Sequence, residues 1–451
     1  MVKQNEIKRI GIVGSGIAGL SAAWLLKNRY QVDLYEENDY VGGHTHTIEV
    51  AEGSGRIPID TGFIVYNEAN YPLLTELLDY LDVETQNTDM SFAVSIDSGS
   101  LEYAGDNLKK LFAQRQNLFD FQFLSMIKEI VRFNNQCQNY LHQGDYSISL
   151  GDFLDLHGYN HQFRYNYLLP MAAAIWSCPT STMLSFPFNS FAQFFKNHGL
   201  VKLKNRPQWK TLVGGSWQYV KVMADSLGSR IKINQTVASV RRTSSGVEIT
   251  TKSGHKESYD ALIIASHADQ AIALIENPNP LEADCLGKFS YQDNTVYLHT
   301  DRGLMPRLRD VWSSWNYIAD DDLETQERAV SVSYWMNRLQ RLKAEKDYFV
   351  SLNPLQPPQE EQLIEKMVYQ HPVFDQGAMW AQQQLNEIQG KQRIWYCGSY
   401  LGYGFHEDAL RSSVQVADSL GVEVPWLKQT QAITLQPDMD QLASLARSVG
   451  V

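Results

Sequence analysis

Residues 7–13 of this chain read IKRIGIV, and the next six are Gly14-Ser15-Gly16-Ile17-Ala18-Gly19. An apolar run closed by GxGxxG and followed by LSAAWLLKN, with helical apolar spacing, predicts a buried strand, a tight turn and a helix. Residues 31–35 then form a second apolar run that ends at Glu36, 22 residues after Gly14. This is a βαβ unit, and its residue types have physical reasons. Gly14 permits the tight turn, Gly16 lets backbone approach a pyrophosphate, and Gly19 lets the helix pack on the sheet. The start of the helix at Ile17 and Ala18 faces the phosphates, and Glu36 stands where a carboxylate binds ribose hydroxyls. The unit predicts an α/β fold with a Rossmann-type dinucleotide site.

The 451 residues suffice for two domains, and 43% hydrophobic with 20% charged residues is ordinary for a globular enzyme. A net charge of −12 disfavours nucleic acid and gives no general attraction to anionic lipid, although a local basic patch is compatible with it. Cys137, Cys178, Cys285 and Cys397 are far apart and form no CxxC, which predicts a reducing, cytoplasmic setting. The opening MVKQNEIKRIGIVGSG runs straight into a strand and is not read as a signal peptide. No run of about 18 apolar residues exists to span a bilayer.

The stretch VDLYEENDYVGGHTHT separates one nucleotide from another. Glu36 followed six residues later by Gly42-Gly43 resembles the signature of the flavin amine oxidase superfamily, which includes monoamine and polyamine oxidases, phytoene desaturases and protoporphyrinogen oxidase. The resemblance implies FAD, with the acid on the adenosine ribose and the Gly-Gly turn close to the flavin. It continues through RIPIDTGFIVYNEANYPLLTELLDYLDV, where Asp60 and Gly62 match an Asp-x-Gly turn beside the isoalloxazine. It continues again from LVGGSWQYV to LIIAS, where Val237 matches a residue whose backbone meets adenine. Last comes RIWYCGSYLGYGFHEDALRSSVQVADSLG, where Gly398 and Ser399 approach the flavin and His406, Glu407 and Ala409 open a helix facing it. The four segments cover about 40% of the chain and keep the family's order. His44 stands where arginine is usual, Ser399 where an acid is common, and Asp408 and Ser413 where glycines are common. The words GGHTHT and DTGFIVYN resemble a bacterial subgroup of FAD-binding proteins found fused to, or encoded beside, cyclopropane fatty acid synthases.

A His-x-His pair on a strand puts both rings on one face, where they could bind metal. No third ligand has suitable spacing, so no metal is expected. His44 is read either as a cofactor or active-site residue or as packing, with His46 the weaker of the two.

The cofactor domain is expected to be discontinuous, over 1–75, 208–275 and 386–425. Inserts at 76–207 and 276–385 would form an α+β substrate domain, and 426–451 a tail with a weak helical pattern. The first insert reads as mostly helical, notably in FDFQFLSMIKEIVRFNNQCQNYL and FPFNSFAQFFKNHG. The second reads as a strand over 329–335 followed by a turn, with LNPLQPPQEEQ as a loop. The inserts are aromatic, and most of Trp176, Phe186, Phe188, Phe191, Phe194, Phe195, Trp315, Tyr317, Tyr334 and Trp335 are expected in the core. Some would line an apolar channel, which suits a small hydrophobic substrate.

No carboxylate pair, Ser-His-Asp set or Cys-His nucleophile stands out, and Cys178 and Cys397 are read as buried apolar residues. Flavin chemistry can run on the cofactor. His44, Tyr66 and His406 are the leading catalytic choices, with Glu407 beside them. The reading is an FAD-dependent oxidoreductase removing hydride from a hydrophobic substrate, first a lipid acyl chain and second a hydrophobic amine. The other classes are a redox-neutral flavin isomerase and a non-catalytic FAD-binding partner of a lipid-modifying methyltransferase. Such an enzyme partner, or peripheral contact with a membrane, follows from the resemblance alone.

Overall fold

The computed structural model describes residues 7–141, 148–176, 180–197, 200, 207–321 and 328–427. Cys178 and the tail beyond Leu427 lie outside them. The predicted βαβ unit is present as β1 (Arg9–Val13), α1 (Ile17–Leu26) and β2 (Gln31–Tyr35). It is joined by β3 (Ile231–Lys232), β4 (Ala261–Ile264) and β5 (Ile394–Tyr396) in a parallel sheet of order β3-β2-β1-β4-β5. All three stretches expected to build the cofactor domain therefore contribute strands. The helices that bear on the site are α1, α2 (Pro72–Tyr80), α3 (Phe121–Tyr140), α4 (Trp217–Leu227) and α5 (His406–Ser419).

α1 is buried on almost every side, as its apolar composition requires. Small residues let it sit close to its neighbours. A Cβ at Gly19 would collide with the carbonyl oxygen of Gly14. Ser21 Oγ meets Ser413 Oγ on α5 at 2.6 Å, one hydroxyl donating to the other, and the hydroxyl that accepts has a carbonyl of its own helix to donate to. Ser413 can thus replace a glycine here, because its hydroxyl is satisfied inside the contact.

The inserted segments build a second body around a seven-stranded sheet. Its strands run in the order Leu363–Val373, Ser290–His299, Phe349–Leu352, Arg328–Trp335, Trp315–Asp321, Phe92–Ile96 and Leu101–Ala104. Two corrections to the sequence reading follow. The first insert is helical from about residue 108 onward, but its start supplies the strands Thr85–Thr88, Phe92–Ile96 and Leu101–Ala104. The strand ending at Trp335 leads into a short helix, Met336–Leu339, and not a bare turn. The helices read from FDFQFL and FPFNSF are α3 and Phe188–Asn197. Among the described residues no helix is long and apolar enough to cross a membrane.

Buried carboxylates tie distant segments together within each body. Glu102 accepts from the backbone N–H groups of Arg307 and Leu308 at 2.7 and 2.8 Å and from Ser95 Oγ at 2.8 Å. Glu407 accepts from the N–H groups of Leu73 and Leu74 at 2.9 and 3.0 Å, in the first turn of α2. Those amides have no partner within the helix, so the carboxylate satisfies two orphan donors. Glu407→Ala is expected to destabilise the protein by about 2–4 kcal/mol, since it leaves both donors buried and unpaired. Urea unfolding of the variant against wild type measures this.

Candidate functional site

The glycine turn after β1 opens into a cavity of about 1530 Å³ that extends from the parallel sheet into the second body. Gly14 has φ +97°, Gly42 +122° and Gly43 +57°, all in the region that favours glycine. The Gly-Gly turn lies directly on the first turn: Gly42 N–H donates to Ser15 O at 3.2 Å, and a Cβ on Gly43 would come 3.1 Å from Gly16 Cα. A Cβ added to Gly16 meets nothing within 4 Å. The bare start of α1 therefore faces open cavity, in a cradle that a side chain would fill. Glu36 lines the same end, with Oε2 accepting from Ser15 N–H and Oγ and Oε1 from Asn38 N–H and Nδ2.

Most of the expected cofactor contacts line this one cavity: Gly14, Gly16, Ile17, Ala18, Glu36, Gly42, Gly43, His44, Gly62, Val237, Gly398, Ser399, His406 and Ala409. The other expected contacts and the residues expected near them lie elsewhere. Gly19 is packed under the turn, as its spacing to Gly14 requires. Asp60 points away from the cavity and accepts from Thr47 Oγ1, Ser216 Oγ and Ser216 N–H at 2.5, 2.9 and 2.8 Å, fastening the start of α4. Glu407 caps α2 and does not face the cavity. Tyr66 is also corrected: Val65 lines the cavity, so its strand neighbour projects to the opposite face, where Tyr66 is buried beside Tyr71. Cys397 is buried outside the cavity wall, and burial pushes its thiol up to about 12.

At the far end four histidines converge. The ring of His44 lies 6.0 Å from that of His267, 5.5 Å from His371 and 5.1 Å from Tyr369, centre to centre. The His44 ring interacts with the backbone of Gln370, and its buried Nε2 has no hydrogen-bond partner. His406 stacks on Phe63 at 3.8 Å, with Nε2 2.7 Å from Tyr219 OH. His46 does not share a strand face with His44: both precede the strand Thr47–Glu52, and His46 stacks on Tyr40 and bonds Tyr369 OH at 2.9 Å. Among the described residues no three histidine, cysteine or acidic side chains are placed to hold a metal ion. His267, His371 and Tyr369 were not legible as site residues. The usable signal for His267 is its place just beyond the carboxyl end of β4, where ligands bind in open parallel sheets.

Burial lowers the histidines, to about 4 at His44 and His267 and about 3 at His371 and His406. The wall is therefore polar but uncharged at neutral pH. Beyond it the cavity is lined by Tyr103, Tyr167, Met171, Ile175, Trp176 and Phe194.

A nucleotide cradle on a Rossmann sheet, continued by an apolar chamber in a second body, defines an FAD-binding protein with a separate substrate space. The chain belongs to the family described as flavin containing amine oxidoreductase, whose profile matches residues 17–338. It is 26% identical over 262 residues to polyamine oxidase 4 of Oryza sativa subsp. japonica, covering 56% of this chain and 50% of that relative. The chain thus spans about half the length of that relative. Its fold is similar to that of putrescine oxidase bound to putrescine, with TM-score 0.67, 16% identity and coverage of 92% and 99% of the two chains. It is likewise similar to a CLA-producing fatty acid isomerase from P. acnes, with TM-score 0.62, 15% identity and coverage of 93% and 99%. FAD is the cofactor of this family, and the cradle fits it. The start of α1 would hold the pyrophosphate, Glu36 the ribose and Val237 the adenine, while Gly43, His44 and the Gly398–His406 stretch would border the ring.

Gly16→Val is expected to fold, since its side chain enters open space, yet to lose FAD affinity by about a hundredfold or more. Gly19→Val is expected to misfold. Thermal midpoints and flavin retention on gel filtration distinguish the two.

A pH dependence also follows. His44, His267, His371 and His406, with His299, lowered by burial to about 4, titrate far below the usual 6.5. The unfolded chain binds these protons near pH 6.5 and the folded chain does not, so stability is lost as pH falls through 6.5 toward 4. Each ring contributes roughly 1.4 kcal/mol per pH unit in that window. Burial raises Asp60 and Glu407 to about 7 and raises Asp408, which acts in the opposite sense, but the five rings outnumber these three. The thermal midpoint of the flavin-loaded protein should fall steadily from pH 7 to pH 5, and a flat profile would contradict neutral buried rings.

Proposed function

We propose that the protein is an FAD-dependent oxidoreductase that removes hydride from an apolar, uncharged substrate, with a lipid acyl chain as the first choice. One observation carries this reading: among the described residues, the chamber beyond the histidines has no unpaired inward carboxylate. Of the lining acids, Glu36 and Glu37 stand at the nucleotide end, Asp293 is exposed, and the largely buried Asp106 carboxylate is neutralised by Lys110 and Arg338 at 2.8 and 3.1 Å. A buried ammonium without a counter-charge is costly, so the chamber suits hydrocarbon better than an amine. FAD, when bound, supplies the two-electron acceptor. The residues have the remaining tasks. The aromatic walls exclude water and hold the chain. The amino end of α5 places a partial positive charge at His406, which favours electron-rich groups there. The second hydrogen leaves the substrate as a proton, and His44 Nε2, which with His267 Nδ1 is one of two buried ring nitrogens without a partner on that wall, is placed to accept it.

A second reading is redox-neutral isomerisation of an acyl chain, supported by the shared fold of the fatty acid isomerase. Anaerobic mixing separates the choices. Bleaching of the oxidised flavin by unsaturated or saturated fatty acyl substrates, but not by putrescine or spermidine, is the expected result. Turnover only after prior reduction of the flavin would favour the isomerase, bleaching by amines alone would overturn the acyl reading, and no response to any of them would point to a partner-dependent role. His44→Asn should keep FAD yet slow flavin reduction about a hundredfold, with His46→Ala milder.

A further inference from the structure

The cavity reaches the surface at Gly105 and Asp106, both exposed. In the segment that follows, the chain turns large apolar side chains outward. Leu108 is 74% exposed, Phe119 84% and Phe121 86%, with Leu118 and Leu124 also exposed. α3 shows the anomaly most clearly. Its inner stripe, Phe123, Met126 and Phe133, is buried, and Phe123 packs on Tyr103 and Phe112 at 5.5 and 5.8 Å. Its outer stripe, Phe121, Leu124 and Val131, is exposed at helical spacing. A surface helix needs one apolar stripe, so the second is left for something outside the chain.

The charge around this surface indicates what covers it. The chain carries −12 overall, yet Lys109, Arg115 and Lys128 are exposed among these residues. The neighbouring acids are largely engaged. Asp106 pairs with Lys110 at 2.8 Å and Arg338 at 3.1 Å, and Asp120 accepts from the N–H groups of Gln122 and Phe123 at the start of α3. Lys109 itself lies 3.8 Å from Asp310. Exposed phenylalanine and leucine interleaved with lysine and arginine is the composition of an element that lies in a lipid interface, with apolar groups in the acyl region and cations at anionic headgroups.

We propose that the surface formed by residues 108–131 seats the protein on an anionic lipid bilayer, with the Gly105–Asp106 mouth of the cavity turned toward the membrane. The protein lies on the bilayer and does not span it there. Apolar substrate then passes from lipid into the chamber without crossing water. The surface residues touch neither the glycine cradle nor the histidines, so the docking can fail while the substrate reading holds, and the reverse.

The test is flotation of the full, FAD-loaded chain with vesicles of equal parts phosphatidylglycerol and phosphatidylcholine, and with pure phosphatidylcholine. Wild type should float with the anionic vesicles, less with the neutral ones, and less in high salt. Phe119→Ser with Phe121→Ser should leave the flavin bound and the thermal midpoint unchanged while lowering partitioning at least about tenfold. Lys109→Gln, Arg115→Gln and Lys128→Gln should each reduce the anionic preference by about fivefold. Wild type that floats with neither vesicle, or a double variant that floats as well as wild type, overturns the proposal. So does a wild-type dimer that the double variant splits without altering flotation, which would make the surface a self-interface.

Discussion

The contact of two bare backbone turns underlies the site. Gly14-Ser15-Gly16 and Gly42-Gly43 meet with only the small Ser15 hydroxyl between them, and Gly42 N–H donates to Ser15 O and Oγ across the junction. A third strip of backbone joins this contact, since a Cβ at Gly62 would collide with the carbonyl of His44. Three segments thereby make a floor of main chain beneath the cavity. Side chains at Gly14, Gly42 or Gly62 would collide with backbone and displace these segments, which removes both the phosphate cradle and the placement of His44.

The floor is held in place by buried acids that serve the protein itself. Asp60 ties the hairpin after the Gly-Gly turn to the start of α4, and Glu407 ties α5 to α2. Asp408 accepts from the N–H groups of Tyr403 and Phe405 and caps α5. Each carboxylate is desolvated, a cost offset by main-chain donors at helix starts that would otherwise go unpaired. The acids near the flavin end are thus spent on architecture, and the polar groups facing the chamber are neutral imidazoles.

That division shapes the chemistry and the surroundings of the chamber alike. Desolvation keeps His44, His267, His371 and His406 uncharged, so the chamber can accept hydrocarbon without burying an unpaired charge. The same preference for apolar matter appears outside, where α3 carries a second apolar stripe beside the cavity mouth.

The sequence by itself determined the βαβ unit, the glycine cradle, Glu36 and the Gly-Gly turn, because each depends on local backbone conformation or close approach that only certain residues permit. It also indicated the cofactor end of the cavity, since those residues belong to short ordered segments. Tertiary structure alone decided which way side chains point and which distant residues meet. Tyr66 falls on the wrong face because strand parity relative to the cavity is set by where the strand is anchored. Asp60 and Glu407 read as cofactor ligands, yet the helix starts brought beside them claim their oxygens. His267 and His371 join His44 only because β4 and the strand Leu363–Val373, both more than two hundred residues away in the chain, are carried to the same wall by sheet pairing, and no local pattern encodes a meeting that non-local hydrogen bonding creates.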